Sequence, residues 1–168
     1  QFEKNQPMAE TADSKLLVDE QAKIDDLIDA LGILALKGIL NQTFYFSPAD
    51  ISSAIQVALS NNSPVSVAEE IEFKKRLLKT GFLDGICWND KTQDIVGRGD
   101  FYHLSNQEFW VAKFIANQLT TDENSSLVEQ LIQEHKYNSS LQKVWINVAY
   151  ILGQEASYNP QGLAKFSE

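Results

Sequence analysis

Cysteine is nearly missing from this chain. Cys87 stands alone among 168 residues, so no internal disulfide is available, and the composition reads as that of a reducing compartment, with cytoplasmic localisation expected. Histidine is scarce as well: His103 and His135 are the whole supply, and neither lies in a spacing that builds a metal site. The chain has no GxxxxGK[ST] phosphate loop, no HExxH helix and no G-x-S-x-G elbow, so it carries none of the usual signatures of phosphoryl transfer, zinc hydrolysis or serine hydrolysis. No apolar run approaches the roughly 20 residues a spanning helix needs, and no membrane partner is expected. Cations are outnumbered, 14 Lys and Arg against 23 Asp and Glu, and the resulting charge of −9 repels phosphate backbones at long range, so no nucleic-acid partner is expected either. The first residues, QFEKNQPMAE, show neither an initiator Met nor an export signal, which suggests a piece of a longer protein.

What is present is a succession of helical patterns. A polar lead-in segment, residues 1–22, holds at most a helical turn near Leu16–Val18. From Lys23 to Leu40 apolar residues recur at helical spacing, with Ile24, Leu27, Ile28, Leu31, Leu34 and Ala35 on one side and Ile33, Leu36, Ile39 and Leu40 on a second; such a helix belongs at the centre of a core. Ser47, Pro48 and Asp50 combine an N-cap hydroxyl, a proline at the first helical position and an acid in the first turn, which predicts a helix to about Leu59. The preceding Thr43–Phe46 fits a strand or an apolar loop. A third helix is expected from Ala68 to Lys79, with Lys74, Lys75, Arg76 and Lys79 towards the end that favours cations. The period then changes: a strand at Gly85–Trp88, a turn at Asn89–Gln93 and a second strand at Asp100–Leu104 predict a small hairpin.

Ser105 to Glu108 matches the S/T-x-x-E capping box, and the helix behind it runs to about Leu119 with Phe109, Ala112, Ile115, Ala116 and Leu119 on one face. Leu31, Leu34, Phe109 and Ile115 are expected in the core. The same pattern recurs at Ser126–Glu129 and Ser139–Gln142, opening helices at Leu127–His135 and Leu141–Leu152, with Gly153 as a stop. Three helices followed by a hairpin is the order of a winged helix. The expected fold is therefore mainly α: a winged-helix domain over residues 23–120 with a short β-hairpin wing, and a small helical appendage over 121–168.

Candidate chemistry concentrates at His103, just ahead of a helix start. The unpaired N–H groups there attract phosphate, and a histidine beside them can donate to the same anion. On physical grounds alone, a strand-end cap, or a ring packed over Phe101 and Phe109, is the favoured reading of the residue. Cys87, in the apolar run GICW, reads as a small buried hydrophobe rather than as a thiol paired with His103. The Arg98-Gly99-Asp100 triplet reads as a glycine-rich turn before a strand, and the sequons at Asn41, Asn61, Asn124 and Asn138 are discounted in a reducing compartment.

The stretch FYHLSNQEFWVAKFIANQL resembles the F-x-H-x-[ST]-x-Q-E-[FY]-x-A-A signature that closes the winged helix of NACHT-type NTPases, members of the STAND class that includes the NOD-like receptors. Phe101, His103, Ser105, Gln107, Glu108 and Phe109 carry the match, with Val111-Ala112 in place of a small pair and Asn106 where an aromatic is usual. Upstream, LGILALKGILNQTFYFSPADI and LLKTGFLDGI are similar to the family's earlier winged-helix segments, in the same order, over about residues 24–120. The resemblance implies a regulatory module packed on an upstream NTPase domain, in which His103 reaches the β-phosphate of ADP and holds a closed state. It implies no catalytic residue and no cofactor for this piece, with ADP or ATP bound only once it is joined to the NTPase core. Ser105 and Glu108 are assigned to helix capping, and Gln107 to a bond towards the appendage. Two other readings are a helical protein-interaction module and, through the basic third helix, a DNA-binding winged helix.

Overall fold

The structure, a computed structural model, describes residues 12–60, 65–120, 125–155 and residue 166, with backbone alone for 12–19, 125–127 and 155. It is mainly helical with one small antiparallel sheet. The order is α1 (Ala12–Leu40), β1 (Tyr45–Phe46), α2 (Pro48–Leu59), α3 (Val67–Thr80), β2 (Leu83–Asn89), β3 (Asp94–Phe101), α4 (Leu104–Thr120), α5 (Ser125–His135), a 3-10 turn (Ser139–Leu141) and α6 (Gln142–Glu155).

Local chemistry explains most of these boundaries. α1 starts at Ala12, well inside the expected lead-in, because nothing between Ala12 and Gly32 is a helix breaker and Lys15, Leu16, Leu17, Glu20, Gln21 and Ala22 are good helix formers. The Ser47 hydroxyl accepts from the Asp50 N–H while the Asp50 carboxylate accepts from the Ser47 N–H, a complete capping box with proline at the first position. Ser66 and Glu69 form a second box at the head of α3. Downstream, the 3-10 turn is capped by Asn138, whose side chain accepts from the Ser140 N–H, so Ser139 is not the cap. α6 runs through Gly153 to Glu155, since an exposed glycine costs a helix only about 1 kcal/mol. The box expected at Ser126–Glu129 involves side chains outside the described residues.

The sheet order is β1-β3-β2, with Tyr45 opposite Asp100, Phe46 opposite Gly99 and Leu83 opposite Phe101. β3 therefore occupies Asp94–Phe101 rather than the expected 100–104. Gly97, Arg98 and Gly99 read as a turn in sequence but are held as strand, Gly97 opposite Ile86 of β2 and Gly99 opposite Phe46 of β1, and the Arg98-Gly99-Asp100 triplet is part of that strand. A bulge at Gly85 (φ 73°) bends β2, where a Cβ would run into the Arg98 carbonyl.

α1 and α4 form the central pair. Asp29 meets Gln118, Gly32 lies against Phe114, and Gly38 lies against Gln107, so the two helices run antiparallel. Buried side chains make one continuous cluster from Leu31, Leu34, Ile51 and Ile55 through Phe46 and Phe101 to Ile115, Leu119, Val144, Val148 and Leu152. The α5–α6 region thus shares its core with the rest, joined through α4. Leu31, Leu34 and Ile115 are buried as the periodicity predicts, but Phe109 is 47% exposed. Its place facing inward is taken by neighbours one and two positions away, Gln107, Glu108 and Val111, which rotates the buried face.

Candidate docking face around His103

Phe101 ends β3 with its ring buried edge-on against Phe46, centroids 5.8 Å apart, and this anchors the strand where it leaves the sheet. The chain then turns outward: Tyr102 is 58% exposed, His103 is exposed, and Leu104, 43% exposed, opens α4. The His103 carbonyl accepts from the Asn106 N–H at 2.9 Å, so His103 occupies the position just outside the helix. Its ring makes no hydrogen bond or ion pair among the described residues, and it is not part of the buried core.

The helix opens two residues earlier than a box at Ser105 requires. Ser105 lies in the first turn, exposed, and is not the N-cap. Glu108 does not fold back on the start of the helix. It is buried, with its carboxylate 3.9 Å from the Lys143 ammonium on α6. The capping assignment of Ser105 and Glu108 is corrected accordingly: a charge partner 35 positions downstream outcompetes the local pattern. Gln107 is fully buried, and its amide donates to the Thr43 carbonyl at 3.4 Å in the α1–β1 connection, not towards the appendage; its Oε1 is buried without a partner among the described residues. Gly38 leaves the room this amide occupies, since a Cβ there would come within 2.9 Å of its Nε2. Beyond the first turn, Phe109 meets Trp110 edge-on at 5.3 Å, and Trp110 meets Phe82 at 4.6 Å. Phe82, Tyr102, Leu104 and Phe109 all expose large apolar area at this end of the sheet and α4.

The basic third helix is largely engaged with its own protein. Lys74 is buried between Glu70 at 2.7 Å and Asp94 at 2.8 Å, and that hydrogen bond holds the Asp94 carboxyl below its ordinary range. Lys75 lies over the Trp88 ring at 5.0 Å. Arg76 donates to the Lys23 carbonyl at 2.8 Å and lies over Phe73. Lys79 is exposed. Sequence reasoning missed the Lys74 pairing because Asp94 stands twenty positions on, across the hairpin.

Cys87 is exposed, against expectation: Ile86 and Trp88 turn towards the protein, and strand alternation sends the residue between them outward. It lies four positions along β2 from Leu83, the partner of Phe101, hence about 13 Å from the His103 end of the sheet, so the two are not brought together. Among the described residues no group of His, Cys, Asp and Glu could hold a metal ion. No described helix is long and apolar enough to cross a membrane. An open cleft of about 540 Å³, with Ala22, Asp26, Leu59, Phe73 and Arg76 in its walls, lies between α1 and the α2–α3 pair, away from His103.

Comparison with protein-family models, curated proteins and solved structures finds no match for this chain.

Proposed function

We propose that this chain is a winged-helix regulatory module of a nucleotide-dependent switch, docking on an NTPase core through the junction of β3 and α4. The observation that carries the reading is the placement of His103. Its ring is exposed and uncommitted at the mouth of a 17-residue helix, on a strand end fixed by the buried Phe101. The first N–H groups of α4 and a donating imidazole together suit a phosphate presented from outside, and Tyr102, Leu104 and Phe109 supply apolar area for the domain that presents it. The helix-strand-helix-helix-strand-strand order, with β1 paired to β3, supports the winged-helix assignment, and the likeness of residues 100–119 to the NACHT signature supports the nucleotide role. The chain itself performs no hydrolysis in this account. Its ligand is an ADP held by the neighbouring core, and its compartment is a reducing one, in keeping with the exposed thiol of Cys87.

The same apolar surface also supports a second reading, a protein-interaction module with no nucleotide role. The two separate on His103→Ala in the full-length protein: loss of co-purifying ADP favours the switch, and unchanged ADP with lost partner binding favours the plain module. The DNA-binding reading is weaker, because Lys74 and Arg76 are already committed within the protein and the net charge is −9.

A further inference from the structure

Asp29 is a buried acid that the docking account does not use. It sits on α1 where that helix packs on α4, and only 6% of it is exposed. One carboxylate oxygen accepts from the Gln118 amide at 2.9 Å; the other is buried without a partner among the described residues. α4 offers it the neutral amides of Gln118 and Asn117, and the charges acting on it are two more acids of its own helix, Asp26 and Asp25. Arg76, on α3, acts on Asp26 and is already spent on the Lys23 carbonyl. Among the described residues this carboxylate has one oxygen without a hydrogen-bond donor and no cation acting on it, in the seam that joins the two central helices.

We propose that the α1–α4 seam is a proton-operated latch, tightened in mild acid by protonation of Asp29 and loosened when that carboxyl is charged. Desolvation pushes the group up to about 6, with Asp26 and Asp25 adding to the rise and the Gln118 and Asn117 amides opposing it. The sign follows from which state holds the proton more tightly. Between the ordinary value of 3.8 and about 6 the folded chain binds the proton and the unfolded chain does not, so stability rises as pH falls through that window. From pH 7.5 to pH 5 the folding constant is expected to gain about tenfold from this group. Most acids paired in the native state behave in the opposite way, so a rise towards pH 5 marks a raised acid; Asp26, raised as well by burial, adds a part of the rise that Asp29→Asn keeps. The latch stands on the α1–α4 packing and not on the docking face, so its failure and that of the switch reading are separate.

The test has two parts. The first is a carbon-13 NMR titration of the Asp29 side-chain carboxyl in the wild-type chain; the second is the urea midpoint of wild type and Asp29→Asn at pH 7.5 and pH 5. The expected results are titration near pH 6, a wild-type midpoint that rises in acid, and a variant whose midpoint is higher than wild type at pH 7.5 and has lost most of the rise. A carboxyl titrating at the ordinary aspartate value overturns the proposal, and does so even if the variant fails to fold. A rise that survives undiminished in Asp29→Asn overturns it too.

Discussion

The closeness of α1 and α4 makes a sharp prediction from one substitution at two places. Gly32 and Gly153 both lie inside helices, with backbones an alanine adopts without strain. At Gly153 an added Cβ meets nothing within 4 Å, so Gly153→Ala gains only the helix-propensity difference, about 0.8–1.0 kcal/mol in favour of folding. At Gly32 the same methyl would overlap the Phe114 Cβ and lie 2.8 Å from its Cγ and 3.0 Å from the Trp110 carbonyl. The Phe114 Cβ is fixed by the backbone, so no rotamer change relieves the overlap. Carbon atoms settle at about 3.5–4.0 Å, so the helices must part by about an ångström along a seam that also holds the Asp29–Gln118 bond. Overpacking of this kind costs about 1–3 kcal/mol, and the rigid partner argues for the upper end. Subtracting the propensity gain leaves Gly32→Ala destabilised by about 2 kcal/mol, or about 4–8 °C in melting temperature. Urea denaturation of the two variants beside wild type should give opposite signs and a separation of about 3 kcal/mol. Two variants of the same sign, or separated by less than about 1 kcal/mol, would refute the α1–α4 packing described above.

Other consequences follow from the same contacts. Phe46→Ala should cost about 3–5 kcal/mol, because its ring is buried against Phe101, whereas Phe109→Ala, half exposed, should cost less than about 1.5 kcal/mol; equal losses by denaturation would show that the face of α4 is wrong. Ser47→Ala removes the hydroxyl that caps α2 and should lower stability by about 1 kcal/mol, and an unchanged melting curve would count against the cap. The hydrogen bond from Lys37, helped by Ser47, holds the Asp50 carboxyl down at about 2, so its stabilisation is complete above pH 3.8 and is lost as pH falls towards 2. Asp50→Asn should flatten that acid limb of the stability profile while leaving the rise between pH 7.5 and 5 in place; an acid limb identical to wild type would show that the pair does not act.

The features legible in the sequence were those decided within a few residues. The Ser47–Asp50 box needs only its own first turn, and the boundaries of α2 followed directly. The Ser66–Glu69 box is equally local, and its S-x-x-E pattern starts α3 at Val67, one residue ahead of the expected Ala68. Errors arose where a distant partner decided the outcome. Glu108 fits a capping pattern, yet Lys143 draws it inward, and with Gln107 held by Thr43 the whole face of α4 rotates and leaves Phe109 outside. β3 is strand because β1 and β2 flank it; its glycines and charges argue for a turn when read alone. Asp29 was invisible for the same reason, since IDDLIDAL looks like an ordinary polar edge until α4 is laid against it. At the candidate site, the exposure of His103 follows from a strand end and helix start that the sequence placed to within a few residues. The apolar surroundings of that ring depended on the rotation of α4, which it did not.

The most direct test of the central claim is the nucleotide content of the purified full-length protein, wild type against His103→Ala, measured with the melting curves of the corresponding isolated chains. If His103 reaches a bound nucleoside diphosphate, the variant should retain about ten- to a hundredfold less ADP, the consequence of losing one charge-assisted hydrogen bond, while the isolated chain melts as wild type because the ring is exposed and unpaired. Equal ADP retention in the two full-length proteins would contradict the claim, and a variant chain that also melts well below wild type would make His103 a structural residue.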